Sequence, residues 1–330
     1  MTVKLITTVF SLALSACALS PSESLKTAFI RNMTDKHGYD QQQLHVLFDS
    51  YQPNQDIIGK MNKPAEALPW YRYRKIFLTE TRIQDGVKFW REHADVLAAV
   101  EQHYGVPAEI IVAIIGVETQ YGRFTGKYSV LDALATLAFD YPKRSAFFQS
   151  ELEHYLLLCQ EEHKNPTELT GSYAGAMGIP QFMPSSFNRY AKDYEQDGQR
   201  DIWRNPADAI ASIANYFVQY GWQAGQGIAY PVSASDSRYK DVLTDDLKPD
   251  LRLSGLESLD LKISVPLAPD TKVKLIALTL EQGDELWLGL DNFYCLTRYN
   301  HSALYAMAVY QLSQRLLAAK QVDNKKGAFP

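Results

Sequence analysis

The stretch that decides the fold spans residues 107–122 and reads PAEIIVAIIGVETQYG. Its apolar residues from 110 to 117 leave no polar face, which is typical of a helix that is buried or that crosses a membrane. A crossing helix needs roughly 20 apolar residues, so this stretch is too short to be one. We therefore predict a short core helix, with Pro107 at its first position because a missing N–H does no harm there.

Glu118 lies at the C-terminal end of this predicted helix. A carboxylate in that place is desolvated and lies near the negative end of the helix dipole, and both effects raise its pKa. A raised pKa suits a general acid that works near neutral pH. The alternative is that Glu118 pairs with Arg123 or Lys127 and only ends the helix, since structural ion pairs also perturb pKa values.

Composition narrows the classes of function. The chain has 330 residues, 22% of them charged, and a net charge of -5, which argues against a nucleic-acid binder and against a basic membrane-surface protein. A chain of this length holds a large core. Its 20 tyrosines suit carbohydrate binding, because rings stack on sugar faces, and they suit an aromatic core equally well.

The N-terminus predicts export. Residues 1–17 combine an early lysine, an apolar run and small residues before Cys17, as in a secretory signal peptide. Residues 14–17, LSAC, resemble the lipobox of bacterial lipoproteins, and Ala18 in place of Asp favours an outer-membrane lipoprotein that faces the periplasm of a Gram-negative bacterium. The alternative is an ordinary cleaved signal in which Cys17 is incidental. An oxidising compartment would permit Cys159 and Cys295 to pair.

Periodicity predicts a mainly helical chain with one β-rich insertion. Residues 87–104 carry apolar side chains at helical spacing and predict one amphipathic helix. Within residues 225–291, three runs predict strands: 259–263, 273–280 and 285–290. Helical patterns fill residues 18–104 and 105–224 and return in 292–330, so the β-rich module is predicted to be an insertion into a helical core.

Two loops carry further signals. Residues 170–186, TGSYAGAMGIPQFMPSS, form a small-residue loop that predicts either a rigid surface facing a ligand or a tight packing contact. Residues 193–208 follow the first half of an EF-hand loop, with Arg204 where the closing Glu is expected. The ligands that this pattern predicts are Asp193, Glu195, Asp197, the carbonyl of Gln199, and Asp208 as the closing group. The alternative is a short acidic loop without a metal.

Several of these stretches together resemble the lytic murein transglycosylase B family (glycoside hydrolase family 103). The matching stretches are GVETQYG, LDALATLAFDYPKRSAFF, SYAGAMGIPQFMPSS, WRNPADAIASIANYF and FYCLTRYNHSALYAMAVYQL. The resemblance implies a mainly α (α+β) fold, with a lysozyme-like helical core, an added N-terminal helical region and a small inserted β-domain. It also implies a monomer that cleaves the MurNAc–GlcNAc bond of peptidoglycan and leaves a 1,6-anhydromuramyl end.

The resemblance further implies roles for individual residues. Glu118 matches the single catalytic acid/base, which needs no cofactor, and the acidic loop matches a structural calcium site. The residues that match the glycan cleft are Tyr73, Ser172, Gln181, Phe182, Met183, Tyr216, Tyr299, Asn300 and Tyr305. Lys143 and Arg144 match a basic pair near the peptide stem, and Lys at the first position gives up planar bidentate pairing.

Two other functions are compatible with parts of the sequence. A non-catalytic lipoprotein that binds glycan or acts as a scaffold would share the lipobox and the tyrosines, but would bind sacculi without releasing soluble products. A calcium-responsive sensor would rest on the single acidic loop alone.

Overall fold

The computed structural model describes residues 20–49, 51–62, 68–263 and 265–327. The signal segment with Cys17 lies outside them. The helices are α1 (Pro21–His37), α2 (Gln41–Asp49), α3 (Gln55–Met61), α4 (Trp70–Phe77), α5 (Glu80–Glu92), α6 (Ala94–Tyr104), α7 (Ala108–Thr119), α8 (Val130–Asp140), α9 (Ser145–Glu161), α10 (Pro184–Tyr190), α11 (Pro206–Gln219), α12 (Asp291–Tyr299) and α13 (Ala303–Gly327). The strands are β1 (Tyr128–Ser129), β2 (Thr170–Gly171), β3 (Ala229–Ser233), β4 (Leu251–Arg252), β5 (Lys262–Ile263), β6 (Lys272–Thr279) and β7 (Asp284–Gly289). The predicted mainly helical fold with a small sheet is confirmed.

Helix α7 is the buried centre of the helical part. Its residues from Ile111 to Ile115 have no accessible surface, as the absence of a polar face predicts. Helices α5, α6, α11 and α13 contact it on several sides. Pro107 is the N-cap and Ala108 the first helical residue, so the predicted start differs by one residue.

The predicted single helix over residues 87–104 is wrong in one respect, because the chain is interrupted at His93. Helix α5 ends at Glu92, His93 has φ −119° and ψ 27°, and α6 begins at Ala94. Buried apolar residues lie on both helices, Trp90 on the first and Leu97 on the second. Since one core lies beneath both helices, hydrophobic spacing continues across the break and does not reveal it.

The β-rich module is a five-stranded antiparallel sheet in the order β4-β6-β7-β3-β5. Strands β6 and β7 lie where the alternation predicts them, and Leu275 pairs with Leu288 in their register. The predicted strand over residues 259–263 is too long, because Leu253–Leu259 form a 3-10 helix and only Lys262–Ile263 pair. Strand β3 was not predicted, because it contains Pro231 and a proline argues against a strand.

One carboxylate joins this sheet to the helical part. Glu285 on β7 accepts hydrogen bonds from Trp70 on α4 (3.1 Å) and from Gln311 on α13 (2.8 Å). It also pairs with Arg74 at 3.2 Å and accepts from Trp287 at 2.8 Å. Because α4 and α13 carry two of the predicted cleft tyrosines, Glu285 links the sheet to the helices that bear them.

The two cysteines in the described part of the chain are both free and buried, so Cys159 and Cys295 do not pair. Burial raises the pKa of the Cys159 thiol to about 12 and that of Cys295 to about 11. Both thiols are therefore neutral near pH 7 and behave as small core side chains.

Candidate active site

Helix α7 ends just after Glu118 in a turn built by two non-glycine residues with positive φ. Gln120 has φ 49° and Tyr121 has φ 63°. The N–H of Gln120 donates to the carbonyl of Gly116 at 3.3 Å, and the N–H of Tyr121 donates to that of Ile115 at 3.2 Å. Such conformations cost roughly 1–3 kcal/mol each and persist only where the surroundings hold them.

The side chain of Tyr121 holds this turn between α5 and α7. Its hydroxyl donates to the carbonyl of Arg82 at 2.8 Å. A Cβ added at Gly86 would lie 2.4 Å from that hydroxyl oxygen, and one added at Gly116 would lie 2.6 Å from it. The glycine on each helix therefore provides the space that Tyr121 occupies, and the end of α7 is locked in place.

Glu118 has the protonation behaviour expected of a general acid. Burial raises the pKa of Glu118 to about 7, although part of the side chain stays accessible. Tyr305 on α13 donates to Oε1 of Glu118 at 2.6 Å, and this bond lowers the pKa because it favours the carboxylate. Arg123 pairs with Asp85 at 2.6 Å rather than with Glu118. No ion pair to Glu118 is found among the described residues.

Aromatic rings surround the Glu118–Tyr305 pair. The ring of Tyr299 stacks parallel to that of Tyr305, with centroids 6.4 Å apart. Tyr216 and Phe182 contact the ring of Tyr299 at 4.8 and 6.0 Å. Phe182, Tyr305 and Tyr216 are 2%, 3% and 5% exposed, so these three rings support the wall from behind. Burial raises the pKa of Tyr299 and of Tyr305, which keeps both hydroxyls neutral donors.

The small-residue loop is anchored beside Glu118. The Thr119 hydroxyl donates to the carbonyl of Ile179 at 3.1 Å, and Tyr299 donates to that of Pro180 at 2.6 Å. Gln181 donates from Nε2 to the carbonyls of Thr125 and Gly178 at 3.0 and 2.9 Å. The loop is therefore both a tight packing contact and a rigid surface next to the candidate acid.

Close backbone contact joins this loop to the chain that follows α7. A Cβ added at Gly126, which has φ 103°, would lie 2.0 Å from the carbonyl of Gly171. Ser172 accepts the N–H groups of Ala174 and Ala176 at 3.2 and 3.0 Å, which fixes the loop. At this contact there is no room for a side chain on either Gly126 or Gly171.

Other predicted cleft residues occupy different positions around this cluster. Tyr73 lies near enough to Tyr305 to raise its pKa, and Met183 is the half-buried N-cap of α10. Asn300 ends α12, directly after Tyr299. Lys143 and Arg144 are exposed in the turn between α8 and α9, where Arg144 stacks on Phe147 at 4.4 Å, so the described contacts do not join them to Glu118.

The acidic loop fits a calcium ion in chemistry but not in the arrangement of its side chains. Asp193 accepts the N–H groups of Asp197 (3.2 Å) and Gly198 (2.8 Å), as in the first half of an EF-hand loop. Burial and the charges of Asp193 and Asp197 raise the pKa of Asp208. Its two oxygens accept the N–H groups of Tyr194 and Asp201, whereas Glu195 accepts from Asn205. In the described ranges, no three acidic, His or Cys side chains converge enough to hold one metal.

Sequence reasoning missed three residues that position Glu118. Thr119 ties its helix to the loop, Tyr121 inserts between α5 and α7, and the guanidinium of Arg82 donates to the carbonyl of Gly116. A signal for the first two was present, because the polar residues 118–120 follow the apolar run and Tyr121 comes directly after them. Nothing near Arg82 in the sequence pointed to that contact.

Residues 22–314 match the family described as "Transglycosylase SLT domain". The membrane-bound lytic murein transglycosylase B of Escherichia coli (strain K12) is 42% identical over 302 residues, which cover 88% of this chain and 82% of that protein. The soluble lytic transglycosylase SltB1 from Pseudomonas aeruginosa has a TM-score of 0.86 and 46% identity, covering 90% of this chain and 99% of that one.

Two structures of the Escherichia coli lytic transglycosylase Slt35 are also similar, one in complex with bulgecin A and one in complex with calcium. Their TM-scores are 0.84 and 0.83, with 43% identity over 90% of this chain and 93% of theirs. The family match over residues 22–314 includes α7 and the acidic loop. This chain therefore belongs to the transglycosylase SLT family of lytic transglycosylases.

Proposed function

We infer that this protein is a lytic transglycosylase that cleaves the MurNAc–GlcNAc β-1,4 bond of peptidoglycan with formation of 1,6-anhydromuramyl ends. We propose that Glu118 is its catalytic acid/base. The observation that carries this proposal is a half-buried carboxyl whose pKa is raised to about 7 and which accepts a hydrogen bond from Tyr305. An acid with such a pKa is protonated in a large fraction of molecules near neutral pH.

One carboxyl performs both proton transfers in this mechanism. Neutral Glu118 gives its proton to the glycosidic oxygen, the bond from that oxygen to muramyl C1 breaks, and the GlcNAc hydroxyl leaves. The carboxylate then takes the proton of the muramyl C6 hydroxyl as that oxygen bonds to C1. The proton is returned and no water is consumed, so a second carboxylate, as hydrolytic glycosidases use, is not required.

Tyr305 suits both halves of this cycle. Its hydroxyl donates to Oε1 of Glu118, which leaves Oε2 to carry the acidic proton. After the first transfer the same bond stabilises the carboxylate, because a hydrogen bond to a charged acceptor is stronger than one to a neutral acceptor. The stacked ring of Tyr299 and the contacts of Thr119 hold the pair in place.

We propose that the glycan strand lies along the rings and the loop described above. The residues assigned to its contacts are Tyr73, Ser172, Gln181, Met183, Tyr299 and Asn300, with Phe182, Tyr216 and Tyr305 behind them. Lys143 and Arg144, exposed in their turn, are assigned to the charged peptide stem.

Digestion of purified sacculi tests the reaction. We expect soluble muropeptides whose masses carry anhydromuramyl ends, and we expect Glu118→Gln to release none. Glu109→Gln is the matched control, because burial also raises the pKa of Glu109 but it lies at the opposite end of α7. Reducing muramyl ends would identify a hydrolase of the same fold, and binding to sacculi without any product would favour the scaffold lipoprotein.

We propose that the acidic loop binds one structural calcium ion. Its support is the nearness of the Asp193 and Asp197 charges to Asp208, whose pKa is raised by burial and by these charges, and the calcium complex of the related Slt35. Binding would require Asp208 and Glu195 to exchange their present partners for the ion. Calcium is expected to raise the melting temperature of the protein but not that of Asp193→Asn, with turnover unchanged; an equal rise in both proteins would refute the site.

We also propose that the mature protein is a monomeric outer-membrane lipoprotein, anchored through lipidated Cys17 and facing the periplasm. The Escherichia coli relative is named as membrane-bound. Within the described ranges, none of the helices has the length and apolarity needed to span a bilayer. If lipidated Cys17 is the anchor, Cys17→Ser moves the protein from the membrane fraction to the soluble fraction, whereas unchanged fractionation would contradict the anchor.

A further inference from the structure

A cavity of about 250 Å³ lies beside the turn that follows Glu118. The end of α4, the first turns of α5 and residues 120–123 form its walls. Glu118 and the stacked tyrosines do not line it, so it is separate from the proposed glycan site. The turn after α7 contributes Gln120 to its lining, which places the cavity next to the residues that hold Glu118.

Arg82 brings a buried positive charge to this cavity. It lines the wall with only 8% of its surface exposed. Its terminal nitrogens donate to the carbonyls of Gly116 and Ile76, but Nε is buried and has no hydrogen-bond partner. Among the described residues, no carboxylate lies within ion-pair distance of this guanidinium. A buried charge without a counter-ion is costly, so the cavity favours an anion.

The first turn of α5 adds a second attraction for an anion. Thr79 accepts the N–H of Arg82 at 3.3 Å, whereas the N–H groups of Glu80 and Thr81 precede the first hydrogen bond inside the helix. The positive end of the helix dipole therefore points to the same cavity. The one acidic residue in the cavity lining, Asp85, forms an ion pair with Arg123 at 2.6 Å. The charge of Arg82 is therefore not neutralised by an ion pair within the lining.

We propose that this cavity binds a carboxylate. Two sources have this chemistry: the C-terminal carboxylate of a peptidoglycan stem peptide, and a free small carboxylate. Binding of the stem peptide rests on the proposed function. It agrees with the position of the cavity, which lies between α4, the helix of Tyr73, and the end of α7, where Glu118 stands. The bound group would act on Glu118 through Arg82, which contacts the carbonyl of Gly116.

Calorimetric titration of the full chain at low salt tests the site with three probes. They are N-acetyl-D-alanyl-D-alanine, its C-terminal amide, and acetate. We expect the dipeptide acid to bind at least about tenfold more tightly than the amide, because only the acid carries a charge. Tighter binding of the dipeptide than of acetate identifies the stem peptide as the source, and equal binding identifies a free carboxylate. Equal binding of acid and amide, or no binding of either acid, overturns the proposal.

A pair of variants at Thr81 locates the site without disturbing the fold. Thr81 is exposed in the first turn of α5, where an acidic residue is favourable for the helix. Thr81→Glu places a negative charge at the cavity, and it is expected to weaken dipeptide binding about tenfold. The matched control Thr81→Gln has the same size without the charge and is expected to bind as the parent protein does. Unchanged affinity in Thr81→Glu would show that the dipeptide binds elsewhere.

These outcomes are distinguishable from a failure of the proposed reaction. Binding is read by calorimetry and needs no turnover, so a protein that releases no anhydromuropeptides can still bind the dipeptide. Conversely, a protein that digests sacculi normally but binds neither acid refutes only the carboxylate site.

Discussion

Replacing Tyr305 by Phe removes one hydrogen bond from the candidate acid and keeps the ring that stacks on Tyr299. The lost bond is the one from the hydroxyl to Oε1 of Glu118, 2.6 Å long. Because this bond favours the charged carboxylate, its loss raises the pKa of Glu118 from its value of about 7. A hydrogen bond to a charged group contributes about 1.5–3 kcal/mol, and one pKa unit corresponds to about 1.4 kcal/mol. The expected shift is therefore about 1–2 units upward.

The assay is the pH dependence of kcat/KM for release of anhydromuropeptides. A general acid must be protonated, so the alkaline limb of the profile reports the pKa of Glu118 and should move to higher pH in Tyr305→Phe. Tyr299→Phe is the matched control, because its hydroxyl donates to the carbonyl of Pro180 and not to Glu118. An alkaline limb that stays in place or moves to lower pH in Tyr305→Phe would refute this account of the site.

Three further predictions concern stability. Glu118→Gln is expected to stabilise the protein by about 1–3 kcal/mol at pH 8.5 and to change its stability little at pH 4.5. The folded state raises the pKa of Glu118 from 4.5 to about 7, so the neutral side chain stabilises the fold fully below pH 4.5, and this contribution is lost as the pH rises through 7. Gly126→Ala is expected to cost about 3 kcal/mol or more, because its Cβ meets Gly171, whereas Gly221→Ala, with φ 87° and open space, should cost about 1 kcal/mol. Glu285→Ala is expected to lower the melting temperature and reduce kcat/KM, because the donors on α4 and α13 lose their shared acceptor.

Thermal unfolding at two pH values checks the first of these predictions, and chemical unfolding checks the two glycine variants. A melting curve and kcat/KM for release of anhydromuropeptides check Glu285→Ala. Equal stability of Glu118→Gln and the parent protein at pH 8.5 would contradict the burial of an ionised Glu118. Equal costs at the two glycines would mean that φ, and not the contact with Gly171, decides the effect. A Glu285→Ala protein with normal stability and activity would show that the sheet is held by its apolar contacts alone.

Local patterns in the chain predicted most of the helical architecture and the place of Glu118, the candidate acid, at the end of a buried helix. A run of apolar residues with no polar face predicts that α7 is buried. The same run singles out Glu118, because it is the first acidic residue after the run. The same approach failed at His93 and at Pro231, where a helix break and a strand depend on contacts that spacing does not record. Resemblance to a family supplied the cleft tyrosines without showing which of them contacts Glu118.

The sequence by itself determined that a carboxyl would stand at the edge of an apolar core, because burial is encoded in the type and spacing of neighbouring residues. Only the tertiary structure decided which distant groups surround it. Tyr305 lies 187 residues from Glu118 in the chain, and Arg82 reaches the carbonyl of Gly116 from another helix. Two residues so far apart meet only when the helices between them have packed, so their contact, and with it the pKa of the acid, is a property of the folded chain.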